Sequence, residues 1–137
     1  MRTECTKLQN TCAPIETIAV SKTEAQEQSD VVRYLTRAGV LFCAVPNGGY
    51  RRQSEARSLS RQGVRRGVPD LLVFSPPPSL PSTVRGVALE MKRAKGGRIS
   101  PEQHAWSNAL RSCGWHVIVA HGADEAIDAL RACGYGT

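Results

Sequence analysis

Val87-Ala88-Leu89-Glu90-Met91-Lys92 is the stretch on which the fold turns. Side chains of a strand alternate between faces, so Val87, Leu89 and Met91 form one uniformly apolar face and Ala88, Glu90 and Lys92 the other. The apolar face is assigned to the core. The other face ends in a carboxylate and an ammonium, and two readings stay open for them. One is an ordinary Glu90–Lys92 ion pair on an edge strand; the other is a reactive centre.

Working outward, Val68 to Phe74 is a second apolar run with Asp70 near its start. The connection from Ser75 to Ser82 contains Pro76, Pro77, Pro78 and Pro81 and is irregular. Strands joined in this way are expected to be antiparallel, with the Arg85–Lys92 strand beside the Asp70 strand. Two acids on adjacent strands make a hard-oxygen site for Mg²⁺. A lysine beside such a site can hold a water molecule or meet the negative charge of a transition state.

Further out, Ser21 with Glu24 three positions later reads as a capping box, followed by the apolar stripe Val31, Val32, Leu35 and the stop Gly39. Val40–Val45 reads as a strand and Pro46-Asn47-Gly48-Gly49 as a turn. The arginine-rich segment Tyr50–Arg66 fits either loop or helix. Ser100-Pro101-Glu102-Gln103 opens a helix with Ser as N-cap and Pro in the first position. Its buried face is expected to be Ala105, Trp106, Ala109, Leu110 and Cys113. Trp115–Ala120 is a strand and Ala123–Cys133 a closing helix. The order α-β-β-β-α-β-α predicts a single α/β domain over residues 21–137, a mixed sheet flanked by helices, after a flexible arm over residues 1–20.

Charge adds a partner. The 137 residues carry a net charge of +6 and are 41% apolar, enough for a modest core. Residues 48–98 hold eleven Lys/Arg against Glu55, Asp70 and Glu90, so all the positive excess lies there. Most of it is arginine, whose fork matches phosphate geometry, and a clustered basic stripe is the footprint of a polyanion. No apolar run spans a bilayer, and Met1 to Pro14 does not read as a signal peptide. Five scattered cysteines without a CxxC pair argue against zinc and for free thiols in a cytoplasmic compartment. Cys43 and Cys113 are expected to be buried. His104, His116 and His121 show no metal spacing, and Trp106 and Trp115 are assigned to packing rather than base stacking.

Pro69-Asp70 followed by Glu90-Met91-Lys92 resembles the PD-(D/E)XK nuclease signature. Pro46-Asn47-Gly48-Gly49, Gly63-Val64-Arg65-Arg66-Gly67-Val68-Pro69-Asp70-Leu71-Leu72, Glu90-Met91-Lys92-Arg93 and Ser100-Pro101-Glu102-Gln103 with Trp106 resemble its VRR-NUC branch, over about residues 24 to 130. The resemblance implies a restriction-endonuclease-like fold and Mg²⁺ or Mn²⁺ held by Asp70, Glu90 and the backbone carbonyl of Met91, with Lys92 catalytic. It also implies a glutamate on the first helix. Glu27 is preferred as metal ligand because Glu24 is taken as the capping acid, and Glu24 is the alternative. Gln103 matches a recurrent glutamine near the site and equally fits a cap of its own helix.

Asn47, Arg51, Arg52, Arg65, Arg66 and Arg93 are then the expected DNA contacts. Stand-alone members of this kind look like phage or bacterial Holliday-junction resolvases and flap-type nucleases. The expected activity is therefore a structure-selective DNA endonuclease, with a four-way junction as substrate and a homodimer as the working form. The rivals are a less selective nicking or restriction-like nuclease, and a non-catalytic DNA-binding protein with a decayed site. The intact Asp70, Glu90 and Lys92 speak against decay.

Overall fold

The structure, a computed structural model, describes residues 20–47 and 51–136. Strand β3 (Val87–Lys92) is buried along its whole length and stands inside a four-stranded sheet. β2 (Leu71–Val73) pairs with it antiparallel, Leu71 opposite Leu89. β1 (Phe42–Ala44) continues the antiparallel meander beyond β2. On the other side β4 (His116–His121) runs parallel to β3, reached through helix α3 (Pro101–Ser112) as a parallel pair requires. Helices α1 (Glu24–Ala38), α2 (Gln53–Arg61) and α4 (Ala123–Ala132) complete the fold.

The register separates two faces. Leu71, Val73, Val87, Leu89, Met91, Ile118 and Ala120 share one face, and they pack against Val31 and Leu35 of α1 and Ala126 and Leu130 of α4. Each fully buried leucine or valine here contributes about 1.5–3 kcal/mol through apolar area removed from water. The other face of β3, Ala88, Glu90 and Lys92, is also buried, on the side where α3 packs on β4. The edge-strand ion pair is thereby excluded. Tyr135 closes the core from beyond α4. Its hydroxyl donates to the Ser75 carbonyl, its own carbonyl accepts from Tyr34, and burial pushes its pKa up to about 12.

Five expectations are corrected. The order gains a helix, α2, inside the undecided arginine-rich segment, and α2 buries no residue. With only Ala56 and Leu59 as apolar residues it leaves no helical stripe to be seen. The N-terminal capping box is Thr23 with Gln26, two residues later than Ser21 with Glu24. Of the expected buried face of α3, Ala105, Ala109 and Cys113 are exposed and Trp106 and Leu110 half-buried. Only Ser107 of that helix is buried. Cys43 is exposed on the edge strand, and among the described residues Cys133 is the buried thiol. β1, β2 and β3 are also shorter than the apolar runs that announced them. The expected arm lies almost wholly outside the described residues, as does the second half of the turn at residues 46–49.

Candidate functional site

The β2–β3 pairing ends at Leu71–Leu89, and one step further along the register Asp70 comes opposite Glu90. Where the backbone ladder stops, the Asp70 carboxylate takes over. Met91 N–H donates to its Oδ2 at 2.8 Å. A strand residue in an antiparallel pair turns its N–H and C=O to the same neighbour, so the Met91 carbonyl also faces the Asp70 side.

Glu90 is 3% exposed and Lys92 7%. Lys92 Nζ lies 2.9 Å from Glu90 Oε1 and donates to Gln103 Oε1 at 3.1 Å. Gln103 Nε2 in turn donates to Glu90 Oε1. Gln103 also accepts from Ser100 N–H at 2.9 Å while its own N–H donates to Ser100 Oγ at 3.2 Å. One glutamine therefore completes a capping box and locks the Glu90–Lys92 pair. Its two proposed roles are a single arrangement, because the first turn of α3 stands over the end of β3. That approach needs Gly67. It has φ +86°, and a Cβ there would lie 2.5 Å from the backbone of Glu102. Gly97 closes the other flank, where an added Cβ would sit 3.2 Å from Lys92 Cβ.

The electrostatics are unbalanced. Burial raises the Glu90 carboxyl to about 7, with Lys92 opposing and the Asp70 charge adding to the rise. Burial likewise holds Asp70 above the usual carboxylate range, against the Met91 N–H bond. One ammonium thus falls short of compensating two neighbouring carboxylates. Glu90 Oε2 is buried with no hydrogen-bond partner, although buried acceptors are otherwise nearly always satisfied. A positive ion on these oxygens would relieve both the repulsion and the missing bond. Among the described residues no three His, Cys, Asp or Glu side chains come together as a group that could hold a metal ion. An open site with two carboxylates suits a hard cation that keeps waters or phosphate oxygens as its remaining ligands.

The two acids of α1 have different surroundings. Glu27 Oε2 accepts from Ala123 N–H at 2.7 Å, at the first residue of α4. A carboxylate there satisfies a helix-terminal donor and meets the positive end of the helix dipole. In this structure the Glu27 carboxylate joins α1 to α4 instead of meeting Asp70 or Glu90. Glu24, released from capping by Thr23 and Gln26, is the α1 acid whose charge raises both Asp70 and Glu90. No sequence signal separates the two, since Ser21-x-x-Glu24 and Thr23-x-x-Gln26 satisfy the same pattern.

Arg51, Arg65 and Arg66 line one cleft with Gln103, and Arg93 follows Lys92 in the chain. Arg52, Arg66 and Arg93 are exposed. Arg51 donates to the Pro46 carbonyl at 3.4 Å, and Arg65 to the Ser60 carbonyl at 2.8 Å. Asn47 donates its amide to the Val68 carbonyl, tying the end of β1 to the loop before Asp70. His104, His116 and His121 are exposed, and His121 Nδ1 lies 3.9 Å from Glu125 Oε1. Trp115 packs edge-on to Phe74 at 5.9 Å.

Residues 22–124 match the model of the VRR-NUC domain. The chain belongs to this family. VRR-NUC is a nuclease family, and the Asp70–Glu90–Lys92 cluster sits inside the matched span. A solved structure described as a VRR_NUC domain protein superposes with a TM-score of 0.68 at 23% sequence identity, covering 85% of this chain and 89% of the other. At that identity the likeness carries the VRR-NUC fold alone. No curated protein matches the sequence. Among the described residues no helix is long and apolar enough to cross a membrane.

Proposed function

We propose that this VRR-NUC domain is a metal-dependent endodeoxyribonuclease that selects branched DNA, with the four-way junction as its substrate. The observation that carries the reading is the buried, unpartnered Glu90 Oε2 beside Asp70, with the Lys92 ammonium held against the same pair. Asp70, Glu90 and the Met91 carbonyl would hold Mg²⁺ or Mn²⁺, and Glu24 would be the helix acid behind them. The metal, when bound, supplies a Lewis acid for the scissile phosphate and lowers the pKa of a water.

The chain's own residues do the rest. An ammonium has three N–H donors. Glu90 and Gln103 account for two of Lys92's, leaving one for a phosphate oxygen as its charge grows. Gln103 keeps that ammonium from swinging away. Arg51, Arg52, Arg65, Arg66 and Arg93 supply sequence-independent grip on phosphates. A two-fold symmetric dimer would set two such sites at a spacing that a junction fits and a plain duplex does not.

The test is incubation with labelled four-way junction and matched linear duplex, with and without Mg²⁺ or Mn²⁺, together with sedimentation in the absence of DNA. Metal-dependent cutting of the junction by a dimer is expected. A monomer at micromolar concentration that cuts both substrates equally would leave a less selective nicking nuclease. Binding without cleavage under any metal would leave a DNA-binding protein.

A further inference from the structure

Beside the catalytic cluster lies a cleft of about 590 Å³ between α2, the loop over residues 64–68 and the first turn of α3. Its size is that of a small-ligand site, roughly 300–1,000 Å³. Leu59 on α2 and Val64 and Val68 on the loop line it with apolar surface. Val64 is 41% exposed and so offers its side chain to the cleft. Arg65 and Arg66 line the same cleft, and the bond from Arg65 to the Ser60 carbonyl fixes its guanidinium there. Glu102 lines the α3 side.

A phosphate by itself would call for the arginines and be repelled by Glu102. Apolar walls, a cationic lining and one carboxylate together match a nucleotide. The base lies between aliphatic side chains, as flipped bases do, the phosphates meet the guanidinium groups, and the carboxylate accepts from an amino or imino N–H of the base. The cleft also communicates with the cluster. Gln103 lines it while bonding to Glu90 and Lys92, so a nucleotide held there is a near neighbour of a phosphate at the carboxylates.

We infer that this cleft is a pocket for an unpaired nucleotide of the DNA strand adjoining the cleaved phosphate. The inference rests on the nuclease reading for its role in cleavage but not for its binding chemistry. It gives the domain a way to prefer branched or flapped DNA within one subunit, because only a strand freed from pairing can send a base into the cleft.

Binding in EDTA separates the two readings. The anisotropy of a labelled single-stranded oligothymidylate and of a labelled duplex of equal length would be titrated with wild type, Leu59→Asn and Val64→Asn. Both substitutions remove apolar wall without changing charge, and they lie on different elements in case one disturbs folding. Each variant is expected to lose roughly fivefold or more in single-strand affinity, the scale of one base contact, with duplex affinity unchanged. Equal loss on both DNAs, or no loss on either, overturns the pocket. In the presence of Mn²⁺, absence of cleavage by wild type with the single-strand effect intact would count against the nuclease reading and leave the pocket standing.

Discussion

Glu90 Oε1 and the Lys92 ammonium meet one another and Gln103 almost out of contact with water, and Glu90 Oε2 is left without a partner. Helix α2, a few residues upstream of Asp70, buries nothing and presents its arginines to solvent. The two regions carry opposite charge problems. In the first, burial makes every Coulomb term large, so two acids and one base leave a deficit that a cation would fill. In the second, charges are hydrated and screened, so each arginine is worth little until a polyanion arrives and releases its counterions. Chemistry belongs where few groups interact strongly. Grip belongs where many interact weakly.

The contrast predicts that the largest losses come from the buried region. Asp70→Ala or Glu90→Ala is expected to abolish cleavage and calorimetric Mn²⁺ binding while circular dichroism stays native; full activity in either would break the assignment. DNA affinity without metal should hold or rise, since a negative charge is removed near phosphate. Lys92→Ala should follow with a rate loss of about 10²–10³, the scale of one missing electrostatic donor, and with metal affinity kept. Lost metal affinity with normal turnover at saturating metal would make Lys92 a structural residue.

Glu24 and Glu27 sharpen the comparison, being one turn apart on α1. Glu24→Gln should reduce cleavage with little change in stability. Glu27→Gln should leave turnover near wild type and cost about 1 kcal/mol in chemical denaturation, because α4 loses its carboxylate cap. The reverse pattern would return Glu27 to the site.

Neutralising Arg51 and Arg52, or Arg65 and Arg66, should act on all DNA sequences alike. It should also flatten the salt dependence, by roughly one unit of slope for each phosphate that is no longer held. A sequence-selective effect would show base readout instead.

The smallest effect concerns pH. Glu90 has an ordinary value of 4.5 and stands at about 7 in the folded chain. The metal-free folded state therefore binds more protons than the unfolded one between these values. The stability this carboxyl contributes is complete below pH 4.5 and is lost as pH rises through about 7. The melting temperature of wild type relative to Glu90→Gln should thus fall from about pH 5 to about pH 8, on the order of several °C. Mn²⁺ at the alkaline end should restore it. A flat difference would mean that Glu90 is ionised throughout.

Much of this was readable in the order of residues. Alternation along Val87–Lys92 places Glu90 and Lys92 together opposite a clean apolar face, and the register then brings Asp70 to Glu90. Ser100-Pro101-Glu102-Gln103 announces its helix because capping is local chemistry. α2 was not legible, since a helix that buries nothing needs no apolar stripe.

What the sequence by itself determined is what depends on neighbours within one strand or one turn: the faces of β3, the cap of α3, the basic character of residues 48–98. Only the tertiary structure decided which glutamate of α1 caps α4. It also decided that Gln103 serves helix and site at once, and that the Glu90–Lys92 pair is buried. Each of these depends on how α1 and α3 dock on the sheet. Docking is settled by the sum of many apolar contacts far apart in the chain, and no local pattern records that sum.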